Sequence, residues 1–160
     1  MVVKMSKQVK KAMLFAQDKH KGQKYGNKDY FLYHVCSVVY SLDDSIGQEY
    51  CYGAHRDEIL ISAYLHDVVE DCDVTIEYIR KEFGTSVALY VDCLTKRKGE
   101  SMEVYLERVC TSPVAALIKL HDATQNATQS LICTDLKRFA KYMKYIGVLG
   151  KHIEKLSKEE

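Results

Sequence analysis

The residues of this chain that could do chemistry interrupt its most apolar stretches. In ILISAYLHDVVED, His66 and Asp67 close a nearly all-apolar run, and Glu70 and Asp71 follow. Burying an imidazole beside a carboxylate is costly unless something compensates the charge, and a metal ion is the natural compensation. On a continuous helix Glu70 lies one turn beyond His66 and Asp71 one turn beyond Asp67. Four ionisable groups would then line one side of a helix end. Asp122 closes a second core run, VAALIKLHDATQN, and His34 intrudes into a third apolar face, FLYHVCSVV. His34, His66, Asp67 and Asp122 thus form a two-histidine, two-carboxylate set drawn from three helices. Mixed imidazole and carboxylate ligands suit a borderline-hard ion such as Mn, Fe or Zn with positions left for water and substrate. Taken singly, each feature has a plainer reading. A His on an apolar face is commonly a satisfied core residue, EDCD is commonly a solvated helix end, and Asp122 is spaced to pair with Lys119. Their joint occurrence at core positions favours the metal.

Helices must deliver these groups. Ser6 caps a first helix over residues 7 to 21, with Val9, Met13 and Ala16 on one face. HKGQKYGNKD reads as a loop, and a second helix runs from about Tyr30 to Asp43. The stretch 44 to 54 reads as loop, and a third helix, apolar all round, spans about Arg56 to Val69. Val74-Thr75 followed by Ile79 starts a short helix that Gly84 ends. Helices over about 86 to 95 and 101 to 110 follow, separated by the KRKGE turn. Ser112-Pro113 starts a helix over 113 to 126. Thr134 opens a last one bearing Phe139, Tyr142, Met143 and Ile146, which Gly147 and Gly150 break before the charged segment KHIEKLSKEE. Nothing alternates with period two. The expectation is an all-α single domain over residues 1 to 160, a bundle of about seven to nine helices with little or no strand.

Composition excludes several classes. Lys plus Arg total 23 against 22 Asp plus Glu, a net charge of +1, which disfavours a nucleic-acid binder. No apolar run approaches the roughly 18 residues of a membrane span, and the N-terminus lacks a signal-peptide core, so a cytoplasmic location is expected. Six cysteines without a CxxC pair disfavour structural zinc and read as reduced, mostly buried thiols.

LISAYLHDVVEDCDVTIEYIRKEFGTSVALYVDCLTK resembles the HD-domain hydrolases of the RelA/SpoT type, which destroy guanosine tetra- and pentaphosphate (ppGpp and pppGpp). His66, Asp67, Glu70, Asp71, Thr75, Phe83, Gly84, Leu94, Thr95 and Lys96 follow the family order. HKGQ at His20 to Gln23 matches upstream, and KLHDATQN keeps Lys119, Leu120, Asp122 and Asn126 of the family's K-L-A-D-R-L-H-N. The resemblance covers about residues 8 to 130. It implies an all-α HD fold and one divalent ion, usually Mn, held by His34, His66, Asp67 and Asp122. It implies Glu70 and Asp71 as the residues that orient or deprotonate water, and Lys24, Tyr25, Lys119 and Asn126 as substrate contacts. It further implies hydrolysis of the 3′-pyrophosphate ester by a stand-alone hydrolase without a synthetase domain.

The chemistry is consistent with that assignment, because phosphoester hydrolysis needs an activated water and neutralisation of phosphoryl charge. Lys19, Lys21, Lys24 and Lys28 could meet a polyanion, although such a run is also an ordinary solvated face. Departures fall around substrate recognition. Lys24 and Tyr25 stand where the family has two basic residues, Val35 where it has Pro, Ala123 after the Asp, and Gln129 in place of Thr. Lysine lacks the planar fork of arginine. Three alternatives follow: the same metal chemistry on another nucleotide such as NADPH or a nucleoside phosphate, a nucleotide-binding module without turnover, and a purely structural bundle. A small-molecule nucleotide is the expected partner, with no nucleic acid and no membrane. Surface tyrosines are compatible with a homo-oligomer.

Overall fold

The computed structural model describes residues 5–46, 50–51 and 54–158, with backbone alone at 50–51. Helix α1 (Lys7–Lys19) starts where Ser6 Oγ accepts the Val9 N–H at 3.2 Å. A short hairpin follows, β1 (Lys24–Tyr25) antiparallel to β2 (Lys28–Asp29), turning through Gly26 at φ +64°. A π-helical turn, Phe31–Val35, runs directly into α2 (Cys36–Ser45). A second hairpin, β3 (Tyr50–Cys51) and β4 (Ala54–His55), leads into α3 (Arg56–Tyr64) and α4 (Val68–Asp71). Then come α5 (Ile76–Phe83), α6 (Thr85–Leu94), α7 (Met102–Val109), α8 (Pro113–Ile132) and α9 (Leu136–Leu156).

Helix α3 is the centre of the bundle, contacted by α1, α2 and α6, with Ile59, Leu60, Ile61, Ala63 and Tyr64 all buried. Helix α8 lies across α2 and α6 and packs along α9. It starts as its sequence dictates, with Ser112 Oγ accepting from Ala115 and Pro113 in the first turn. Its first half, Val114 to Ile118, is core, and Asp122, Asn126 and Ser130 continue the buried face. Burying a side chain such as Ile118 stabilises the fold by about 1.5–3 kcal/mol, and truncating it to Ala costs about 2–5 kcal/mol.

The all-α architecture is as expected, with capping at Ser6, Thr75, Ser101 and Ser112 and a left-handed Gly84 at φ +97°. Four particulars differ. The helix expected over 56–69 ends at Tyr64, and His66 and Asp67 occupy the turn before α4. The helix expected to end at 126 runs to Ile132, because Asn126 and Ser130 find partners one turn back, on Asp122 and on the Asn126 carbonyl. Thr134 adopts φ +58° in the turn, and Asp135 caps α9 instead, accepting the Arg138 N–H. Gly147 and Gly150 do not break α9. Each costs about 1 kcal/mol relative to Ala, and the packing of Tyr145, Leu149 and Ile153 on the core outweighs that.

The 44–54 stretch contains the second hairpin, and the rest of that reading lies partly outside the described residues. Segment 151–156 is helical, while 159–160 lie outside the described residues. The cysteines are less buried than expected: Cys36, Cys72, Cys93 and Cys110 are part-buried, Cys133 is exposed, and all five are free thiols. The Cys51 side chain lies outside the described residues. Among the described residues, no helix is long and apolar enough to cross a membrane.

Candidate metal centre

The structure brings His34, His66, Asp67 and Asp122 together, with one ligand-type atom from each within 4.8 Å of all the others. His34 comes from the π-helical turn, where the Cys36 N–H reaches back to the Phe31 carbonyl. Such widened turns concentrate at functional sites. His66 and Asp67 come from the turn after α3, and Asp122 from the middle of α8. His34 Nε2 lies 3.1 Å from Asp122 Oδ1 and 3.5 Å from Asp67 Oδ2. His66 Nε2 lies 2.9 Å from Asp67 Oδ2 and 3.8 Å from Asp122 Oδ1.

The donor set fits a divalent ion. Ligand atoms about 2.0–2.2 Å from one ion are at most roughly 4.4 Å apart, close to the observed spread. His66 Nδ1 is 2.8 Å from the Ala63 carbonyl, so that nitrogen carries a proton and Nε2 is the one that would present a lone pair to an ion. His66 Nε2 is buried, with Asp67 Oδ2 2.9 Å away. Both histidines are 1% exposed, so water does not satisfy them.

Electrostatics bind the cluster tightly. Burial opposes charge on His34, yet its hydrogen bonds to Asp122 and Asp67 prevail and hold it up at about 9. Burial likewise opposes charge on His66, and the neighbouring Asp67 carboxylate raises it nevertheless. Burial works against the Asp67 carboxylate too, but His66 and His34 hold it well below the usual range. Asp122 is held below its ordinary value by Lys119 and His34 despite its burial. This is a balanced cage, with two carboxylates facing cationic or protonatable groups.

The two further carboxylates, successive residues of α4, diverge. Glu70 Oε2 accepts the backbone N–H of Lys96 at 2.8 Å, toward the turn between α6 and α7. Burial pushes the Glu70 carboxyl up, with that N–H opposing. Asp71 Oδ2 accepts from Gln23 Nε2 at 2.8 Å, toward the first hairpin.

Of the expected substrate contacts, Lys24 is exposed on β1. Tyr25 turns inward, its hydroxyl donating to Asn126 Oδ1 at 3.2 Å and its ring 4.9 Å from that of His34. Asn126 in turn donates to Asp122 Oδ1 at 2.8 Å, and Lys119 Nζ sits 2.6 Å from Asp122 Oδ2. Three of the four therefore hold the Asp122 carboxylate or its neighbour. In the basic run, Lys19 packs over Phe15 and Lys28 over Tyr33.

Sequence reasoning missed two residues. The Tyr30 hydroxyl makes a short hydrogen bond to Asp67 Oδ2. Its position one helical turn before His34 was the available signal. Arg138, from α9, reaches Asn126 Oδ1 at 3.1 Å, and no local spacing announces a contact made through the α8–α9 turn.

The family described as HD domain matches residues 12–130. A guanosine-3′,5′-bis(diphosphate) 3′-pyrophosphohydrolase of Aquifex aeolicus is 30% identical over 141 residues, 83% of this chain and 19% of that protein. The enzyme of that name from Vibrio cholerae is 32% identical over 143 residues, 81% of this chain and 19% of that protein. The chain thus spans about a fifth of the length of these curated relatives. A solved structure, described as "A metazoan ortholog of SpoT hydrolyzes ppGpp and plays a role in starvation responses", superposes with a TM-score of 0.74 at 24% identity. The match covers 95% of this chain and 88% of that one, and it shows the shared fold.

Proposed function

This chain belongs to the HD-domain family, and on that premise we propose that it is a metal-dependent phosphoric ester hydrolase acting on guanosine 3′,5′-bis(diphosphate). The proposed reaction is ppGpp plus water giving GDP plus pyrophosphate. The observation that carries it is the convergence of His34, His66, Asp67 and Asp122 on one point. The names of the relatives from Aquifex aeolicus and Vibrio cholerae supply the substrate.

The four residues would hold one divalent ion, Mn2+ being our choice for a set that is half carboxylate. A bound ion lowers the pKa of water and acts as a Lewis acid on phosphoryl oxygens. The remaining work falls to the chain. Glu70 is the proposed base: burial raises its proton affinity, and the Lys96 N–H holds one oxygen so that the other can take a proton from the attacking water. Water attacks the phosphorus attached to the ribose 3′ oxygen, and the bond to that oxygen breaks. Asp71 orients the water from the opposite side. Lys24, exposed on β1, is the proposed contact for phosphate charge, and Tyr25, Lys119 and Asn126 are proposed to border the substrate while they support Asp122.

A second reading rests on one observation. The Tyr25 ring is turned inward, so β1 offers one basic residue, Lys24, where the family has two. That favours testing other nucleotides, NADPH and nucleoside phosphates included. The wider proposal is a single HD domain with α9 as an integral part, acting in the cytoplasm and open to homo-oligomer formation.

The test is a nucleotide panel assayed separately for phosphate and pyrophosphate with Mn2+. Pyrophosphate from ppGpp, lost with EDTA and absent in His66→Ala, supports the proposal. Phosphate release from another nucleotide alone replaces the substrate but keeps the chemistry. Tight nucleotide binding without product replaces it with a binding module.

A further inference from the structure

The HKGQ stretch has no task in the site as described, yet its two polar ends are joined to it. His20 is 0% exposed, just after α1, and its ring lies 5.0 Å from that of Tyr30. His20 Nδ1 is 2.7 Å from Gln23 Oε1, and Gln23 Nε2 donates to Asp71 Oδ2 at 2.8 Å. Chemistry fixes the direction of this chain. A carboxylate only accepts, so the amide turns its N–H toward Asp71. The amide oxygen then faces His20 and also only accepts, so the proton of that bond sits on His20 Nδ1. The Cys72 thiol, 3.7 Å from the same nitrogen, has its own acceptor in the Lys19 carbonyl at 3.5 Å. Main-chain bonds lock the segment: Gln23 N–H to the His20 carbonyl at 3.0 Å, and Tyr30 N–H to the Gln23 carbonyl at 3.1 Å.

We infer that His20 and Gln23 are positioning residues for Asp71. The inference rests on the reading of Asp71 as part of the hydrolytic machinery. Asp71 is exposed at the end of α4, a helix of four residues, and the Gln23 amide is the side-chain donor that holds its carboxylate among the described residues. A buried imidazole fixes the amide, and the amide fixes the acid. The same segment carries Tyr30, which grips Asp67. One connection thereby aligns a ligand and a water-orienting group together.

Two measurements test this. Imidazole nitrogen NMR on the metal-free full chain should show His20 protonated at Nδ1. An unprotonated Nδ1 overturns the relay whatever the enzyme's substrate. Gln23→Met, nearly isosteric, should lower kcat by about 10–100-fold, with KM and Mn2+ affinity within about twofold of the parent. If that variant does not fold, Gln23→Glu keeps the shape, sets a carboxylate against Asp71, and should give the same kcat loss at constant KM. A rise in KM with kcat retained would make Gln23 a substrate contact, and an unchanged kcat would make it structural; either overturns the proposal. If the parent protein turns over no nucleotide, the proposed function fails while the NMR result still decides the relay.

Discussion

Loading the four-residue centre with a divalent ion must expel a proton, and the geometry sets the size of the effect. His34 is hydrogen-bonded to Asp122 and Asp67 and is held up at about 9 in the metal-free protein. At pH 7 it is therefore almost wholly imidazolium, and a ligand nitrogen must be neutral. Deprotonating a group two pH units below its pKa costs about 2.7 kcal/mol, so the apparent Kd for Mn2+ at pH 7 should be about 100-fold weaker than above pH 9. His66 is also raised, so the two rings titrate as a pair and between one and two protons should leave per ion. Calorimetric titration in Pipes, Hepes and Tris at one pH gives that number from the dependence of the observed heat on buffer ionisation enthalpy. Release of fewer than about half a proton, or a Kd that stays flat from pH 6.5 to 8, would refute His34 as a ligand. The stability of the metal-free protein runs the other way with pH. A folded pKa of about 9 against about 6.5 unfolded contributes about 3 kcal/mol to the metal-free protein. That contribution is complete below pH 6.5 and lost as pH rises through 9. The metal-loaded protein should show the opposite trend, gaining as binding strengthens.

Tyr30→Phe removes the hydroxyl donor to Asp67 and should weaken Mn2+ binding by about 10–100-fold with little change in fold, read by calorimetry and circular dichroism. Glu70→Gln should leave metal content unchanged while kcat falls by about 10²–10⁴, and in the parent enzyme the acidic limb of the kcat profile should lie above the ordinary Glu value because burial raises that carboxyl. EDTA should lower Tm; metal at about 100 times its Kd stabilises by about 2.7 kcal/mol, or about 5–10 °C for a domain of this size. Ser112→Ala should cost about 1 kcal/mol through loss of the Ala115 N–H cap, lowering Tm by about 2–4 °C without affecting turnover.

Much of the fold was legible because local chemistry and global packing agree. Ser6, Thr75, Ser101 and Ser112 cap where their spacing says they should, and the apolar runs of α3 and α8 are the buried centre. The four ligand-type residues were legible as polar intrusions into apolar faces, since burial makes such intrusions expensive. What escaped notice lacked a local signature. Pairing in two-residue strands has no periodicity to reveal it. Residues Gly147 and Gly150 read as breaks, yet α9 gains more from packing on α8 than two glycines cost. The contact from Arg138 to Asn126 exists only because the two longest helices fold back on each other.

The most instructive difference is the interruption at Leu65. Successive residues on an intact helix point about 100° apart, so His66 and Asp67 on a continuous helix would aim at different neighbours. Ending α3 one residue earlier lets the His66 ring and the Asp67 carboxylate meet at 2.9 Å. The break leaves carbonyls at the helix end that need donors. His66 Nδ1 takes the Ala63 carbonyl, and the Val68 N–H takes that of Leu65. The first of these bonds also leaves Nε2 as the His66 nitrogen turned toward the cluster. One hydrogen bond thus closes the helix and prepares the ligand. Beyond the break, Glu70 is held by Lys96 and Asp71 by Gln23, on different sides of α4. Local helix propensity fails at the residues proposed to do the chemistry, as expected where a site requires a conformation that the flanking sequence does not itself favour.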